Sequence, residues 1–314
     1  MRVERHMTVT LLGPQRRPSL RPVMAALDVD GPVAVVNAGW RHREDDDAEL
    51  LDLLDGRGVN LALYRRWLDV AAHDPSLAEW EAEWIEAREE LSAAYDVRLR
   101  HAMAAVTALQ RRGVTAPSAL VEQAVDDALE DLRRLDRWHL AAVLGVRERF
   151  ATRAVEHDHP RLAEHRSRVA ELLDPTTVLV VAGGHVGVLL DCLRLFDVRP
   201  ADRVVVAWSA GAMALAERVV LFHDFAPQGD TPPEVHDVGL GVFTGVVPLP
   251  HARRRLRLDD EARSSVLARR LGPARCLVLD DGVRVDVGRD GSLPRDARVL
   301  DADGRISTVA ESAA

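Results

Sequence analysis

The chain predicts an α/β fold with a parallel sheet and a large helical insertion. Three observations carry that expectation. Short continuous apolar runs, at residues 33–36 and 204–207 among others, have the character of strands buried on both faces. They alternate with helical patterns in both the first and the last parts of the 314-residue chain. Between about residues 67 and 173 the apolar runs give way to long helix-favouring stretches. The expected organisation is therefore residues 1–66 as the first part of an α/β domain, 67–173 as a helical insertion, and 174–314 as the second part.

Taken in order, the early strands are expected at 7–12, 33–36 and 59–63. Residues 45–54 open with three aspartates, which suits the positive end of a helix. Residues 79–112 contain no proline or glycine, and Trp84, Leu91, Tyr95 and Leu99 recur at helical spacing. Residues 120–150 repeat the pattern through Leu129, Leu132, Leu135 and Trp138, and a further helix is expected at 160–173. A helical hairpin whose aromatic residues fill its own interface follows; a lid or a homodimer surface is the functional alternative. The histidines at 157, 159 and 165 lie in a polar stretch resembling a linker, where surface positions are expected. The α/β pattern resumes with a strand at 177–182, a helix at 186–196, and strands at 204–207, 246–251 and 276–282. Short strands joined by Asp-Gly turns at 290–291 and 303–304 are expected to close the chain.

Composition narrows the function. A net charge of −9 argues against nonspecific nucleic-acid binding, and 47% hydrophobic with 29% charged residues is ordinary for a globular protein. No run approaches the length of a membrane span, and the first residues lack a signal-peptide pattern, so a cytoplasmic protein with no membrane partner is expected. Two widely spaced cysteines, Cys192 and Cys276, cannot form a cysteine zinc site. All 41 basic residues are arginine, which excludes lysine Schiff-base chemistry and a P-loop lysine.

Ser209 is the most informative residue. It stands between the apolar run at 204–207 and a helix-forming stretch at 210–218, so it is expected at a sharp strand-to-helix turn. There its hydroxyl would project beside free backbone N–H groups that can receive an oxyanion. The bland reading is a helix cap. A serine nucleophile needs a base, and His251 is the strongest of twelve histidines, set at a strand end behind two prolines. Gly183-Gly184-His185, directly after another strand, offers close backbone approach and a second oxyanion donor at Gly184 beside that of Ala210. A carboxylate should orient the imidazole; Asp281 and Asp224 both qualify.

These pieces resemble the dipeptidase E and cyanophycinase family of serine peptidases. Trp208-Ser-Ala-Gly-Ala212 is similar to its nucleophile turn, and Gly183-Gly184-His185 to its oxyanion loop. His251 with Arg255, Arg257 and Leu258 matches a His-x-x-x-Arg-x-Arg-Leu spacing. Leu279-Asp-Asp-Gly282 resembles the segment that supplies the family's triad glutamate. The resemblance spans residues 175–288 well and 7–64 weakly. It implies a parallel-sheet sandwich of the class I glutamine amidotransferase-like type, with Asp281 as third triad member in place of glutamate. His185 stands where the family has asparagine or aspartate, and the helical insertion has no counterpart in its minimal members.

The expected function is a serine hydrolase acting on small or aspartyl-containing peptides, with Ser209, His251 and Asp281 as a triad. Gly184 and Ala210 would form the oxyanion hole, and His185, Arg255 and Arg257 would contact substrate. No metal or organic cofactor is required. The alternative is an inert relative acting as a binding or assembly module through its helical insertion.

Overall fold

A computed structural model describes residues 8–15, 18–156, 159–225 and 231–312. Along the first part run β1 (Thr8–Leu12), α1 (Leu20–Leu27), β2 (Val33–Val36), a 3-10 turn (Ala38–Arg43), α2 (Ala48–Asp52) and β3 (Gly58–Asn60). Four helices follow: α3 (Leu63–His73), α4 (Pro75–Thr115), α5 (Ala119–Glu156) and α6 (Pro160–Leu173). The sheet pattern then returns with β4 (Val178–Val181), α7 (Val186–Leu195), β5 (Val204–Trp208) and α8 (Ala210–Leu215). A ribbon of β6 (Arg218–Leu221) and β7 (Glu234–Val238) precedes β8 (Val246–Pro250), α9 (Ala252–Arg255), α10 (Glu261–Leu271) and β9 (Arg275–Leu279). The last elements are β10 (Arg284–Gly288), β11 (Arg298–Leu300), β12 (Ile306–Thr308) and α11 (Val309–Ser312). Residue 7 of the first expected strand and His157 lie outside the described residues.

The main sheet has the order β10-β1-β5-β4-β2-β3. Its neighbours are parallel except for the antiparallel pair β1–β10. Both faces are covered, which is why its strands are continuously apolar. Leu11, Val36, Val181 and Ala207 face α7 and α8, whereas Val35, Val180, Val206 and Trp208 face α1. The α/β class is therefore as the sequence implies. A second sheet, β12-β11-β9-β8, places β8 at an edge, where Pro248 and Pro250 leave no ladder hydrogen bond unmade. Among the described residues no helix is long and apolar enough to cross a membrane.

Helices α4 and α5 form the expected hairpin, and its aromatics fill it in part: Tyr95 stacks on His139 and Trp84 meets Phe150 edge-on. Tyr95, Leu99, Val106, Leu129, Leu132 and Leu135 make the dry seam. Trp138 lies outside it, 40% exposed, with the Arg98 guanidinium 4.3 Å above its ring. Trp67 donates its indole N–H to Glu81 and Trp80 packs edge-on against His159, so these rings seal the hairpin's joints with α3 and α6. An amphipathic indole suits such boundaries better than a uniformly apolar seam. The histidine stretch also differs from expectation. His159 is buried, its ring 2.5 Å from the Asp74 carboxylate, and His165 contacts Asp69 at 2.6 Å. Two carboxylate contacts made across helix boundaries draw these residues inward.

Candidate active site

The end of β5 sets the site. Ser209 has φ 50° and ψ −120°, a backbone conformation that is costly for a residue with a Cβ. Close packing enforces it. A Cβ on Gly211 would collide with the Val181 carbonyl oxygen, and one on Gly183 would come within 2.9 Å of the Ser209 Cβ. Small residues here let α8 leave the sheet abruptly, so Ser209 stands above the strand ends.

His251 reaches it from the second sheet. Its backbone N–H donates to the Leu279 carbonyl at 3.0 Å, continuing the β8–β9 pairing, and its own backbone is left-handed with φ 58°. The ring nitrogen Nε2 lies 3.2 Å from Ser209 Oγ. The nucleophile and the base named from sequence are thus within hydrogen-bond reach.

Two turns complete the floor. The 3-10 turn after β2 meets the turn after β4, with His185 N–H donating to the Gly39 carbonyl at 2.7 Å. Gly184 has φ 117°, and a Cβ there would collide with the Gly39 backbone. Asn37 and Glu44, both buried, fix the first turn. Asn37 Nδ2 donates to the Glu44 carbonyl at 2.7 Å, and the Glu44 carboxylate accepts from the backbone of Tyr64 and Arg65. Burial raises the Glu44 pKa even so.

These parts surround a cavity of about 900 Å³ at the carboxyl ends of β2, β4 and β5, the usual ligand position in an open α/β sheet. Gly184, His185, Ser209, Ala210, His251 and Arg255 all line it. Arg255 has its pKa lowered by burial alone, and remains a cation because arginine does not deprotonate in this range. His185 accepts from the Val188 N–H through Nδ1 at 3.2 Å, capping α7. Its pKa is lowered by burial first, then by Arg41, His236 and Arg88.

Three expected residues lie elsewhere. Arg257 is off the cavity wall: its N–H donates to Asp224 and its guanidinium lies 5.7 Å over the Phe225 ring. Asp224 is buried and taken up by that N–H and by Arg263 at 2.6 Å. Asp281 is 51% exposed and pairs with Arg254 at 3.7 Å. Among the described residues no hydrogen bond joins either aspartate to His251. The reason at Asp281 is local, because the chain turns out of β9 here, with Val283 N–H returning to the Asp280 carbonyl at 3.1 Å. Asp280 is the more enclosed of the two, its side chain 17% exposed, and its Oδ1 accepts from Arg253 N–H at 3.1 Å.

Sequence reasoning missed Trp40, Arg43 and His236, all of which line the cavity. The Gly39-Trp40 pair after an apolar strand was the available signal for the first two. For His236 there was none beyond a short alternating stretch. Compared with models of known protein families and with curated protein sequences, the chain finds no match.

Proposed function

We propose that the protein is a serine hydrolase, a peptidase of small or aspartyl-containing peptides on a glutamine amidotransferase-like fold. One observation carries the reading: a serine in a strained strand-to-helix turn, its Oγ 3.2 Å from an imidazole nitrogen, at the wall of a cavity large enough for a dipeptide. In this mechanism Ser209 Oγ attacks the scissile carbonyl carbon and its proton passes to His251 Nε2. The carbonyl oxygen, now an anion, is received by the N–H groups of Gly184 and Ala210. His251 then returns the proton to the leaving amine as the C–N bond breaks. Water, deprotonated by the same imidazole, hydrolyses the acyl-serine and restores the hydroxyl. Arg255 supports a preference for a carboxylate-bearing substrate, since a guanidinium can bind one through two parallel bonds. Asp281, which the motif would make the orienting carboxylate, instead pairs with Arg254 at the surface, so the reading gives it no part in orienting His251 and expects Asp281→Asn to leave turnover nearly unchanged.

The test is hydrolysis of a panel of α- and β-aspartyl dipeptides, with labelling by diisopropyl fluorophosphate as a second readout. Wild type is expected to cleave and to label, and Ser209→Ala to lose both, with turnover falling at least about a thousandfold. Labelling that persists in Ser209→Ala, or a wild type that neither labels nor cleaves, would overturn the reading.

A further inference from the structure

The strand β7 faces two ways. Its residues alternate, so Val235 and Asp237 are buried on one side while Glu234 and His236 are partly open on the other. The buried side is held by the helical hairpin. The Asp237 carboxylate accepts two bonds of 2.7 Å from Arg147 of α5, and one of 3.2 Å from Arg194 of α7. The Val235 N–H donates to the Tyr95 hydroxyl of α4 at 3.2 Å. Just before the strand, the Pro233 carbonyl accepts from Arg270 at 2.6 Å, and Arg270 is itself clasped by Asp136 of α5.

The other side enters the cavity. His236 and His185 flank Gly187, where a Cβ would lie 3.8 Å from His236 Nε2 and 3.3 Å from His185 Cε1. A hydrogen bond sets what the His185 ring offers. His185 Nδ1 is an acceptor for Val188 N–H, so the proton of the neutral ring sits on Nε2, a donor. His236 Nδ1 stands 3.5 Å from Glu234 Oε1, and its Nε2 is turned toward Gly187. A donor at His185 Nε2 with a second imidazole nitrogen beside it is a pair of groups that can hydrogen-bond an amide.

We propose that His236 is a specificity-determining residue of the Ser209 cavity, gripping an amide group of the substrate together with His185, and that the helical hairpin is the scaffold that positions it. The inference rests on the hydrolase reading of that cavity. It gives the insertion a role at the site itself, by holding the strand that carries His236 to the cavity.

The experiment compares wild type with His236→Phe, His236→Gln, Arg147→Met and Tyr95→Phe in dipeptide hydrolysis and in labelling by diisopropyl fluorophosphate. His236→Phe is expected to raise KM about tenfold, the worth of one or two hydrogen bonds, with kcat and labelling rate within about twofold of wild type. His236→Gln, which keeps a polar group, is expected to recover part of the loss. Arg147→Met and Tyr95→Phe, each loosening β7 at a different point, should raise KM in the same direction with labelling preserved. An unchanged KM in His236→Phe overturns the substrate contact, and unchanged KM in both folded hairpin variants overturns the scaffold. A wild type that does not label removes the hydrolase reading and this inference with it; labelling with an insensitive KM removes the inference alone.

Discussion

The sheet body and the helical hairpin are held in place by different physics. In the body, strands such as β2 and β4 are buried and apolar along their whole length, and the hydrophobic effect that drives them together is non-directional. The hairpin has a seam of its own, which takes in Val266 of α10, and charged groups tie it further to the body. Arg88 pairs with Asp191, Arg147 with Asp237, and Arg270 of α10 with Asp136 of α5. Apolar burial decides that elements collapse; hydrogen-bonded charges decide at what angle. A hairpin with roughly forty residues per arm could pack against the body in several registers, and buried polar contacts are one way of selecting among them.

The largest test of that contrast is at Asp136. Arg270 is 2% exposed, and its guanidinium bonds Asp136 through both carboxylate oxygens and also reaches the Tyr95 hydroxyl at 2.8 Å. Asp136→Ala would leave a buried cation without its counter-charge, at an expected cost of about 3–5 kcal/mol in denaturant unfolding. Asp136→Leu combined with Arg270→Met is expected to cost less than the single change, because an apolar pair often replaces a buried ion pair with little loss. A single change costing less than about 1 kcal/mol would end the distinction between the two regions.

A smaller effect is expected at the joint between α3 and α4. Asp74 caps α4 by accepting from Leu77 N–H at 3.0 Å, and it also takes the Ser76 hydroxyl and the His159 ring. Burial opposes its charge, but these bonds prevail and hold its pKa down to about 2. Asp74→Ala is expected to cost about 1–2 kcal/mol, as for other well-formed caps. Because the folded pKa is depressed, Asp74 stabilises fully above its unfolded value of about 4. That contribution is lost as pH falls through about 2, so the deficit of Asp74→Ala in thermal melts should shrink in acid.

The same contrast decides what the sequence reveals. The apolar run at 204–207 followed by Ser209 and a helix-forming stretch is a local pattern, and it places the elbow within a residue. The pairing of Ser209 with His251 is also legible, because the proline-flanked strand before His251 is local too. By contrast, β7 reads Glu-Val-His-Asp-Val, and its polar residue Asp237 is buried where Arg147, ninety positions earlier, and Arg194 meet it. No local pattern announces such a partner. The same holds for His159, drawn inward by Asp74 eighty-five positions away. The carboxylate expected beside His251 falls between these cases. The motif identifies the segment Leu279-Asp-Asp-Gly282, but which carboxylate faces inward depends on where the chain turns out of β9.

The finest test lies where a tryptophan closes the hairpin's base. Trp67 donates its indole N–H to Glu81 Oε2 at 2.8 Å. Burial, aided by the neighbouring Asp191, pushes the Glu81 carboxyl up to about 7 against the opposing influence of that indole and of Arg88. The sign follows from which state binds the proton. With a folded pKa above the unfolded one, Glu81 favours folding below about pH 4 and loses that advantage as pH rises through about 7. Glu81→Gln keeps a carbonyl oxygen for Trp67 and has no proton to lose. Its melting temperature is therefore expected to match wild type below about pH 4 and to exceed it increasingly toward pH 8. A difference that stays flat across this range would mean that Glu81 is hydrated when ionised. The hairpin's base would then be as wet as its outer faces, and its hold on the body would fall more heavily on the dry ion pairs around Asp136 and Asp237.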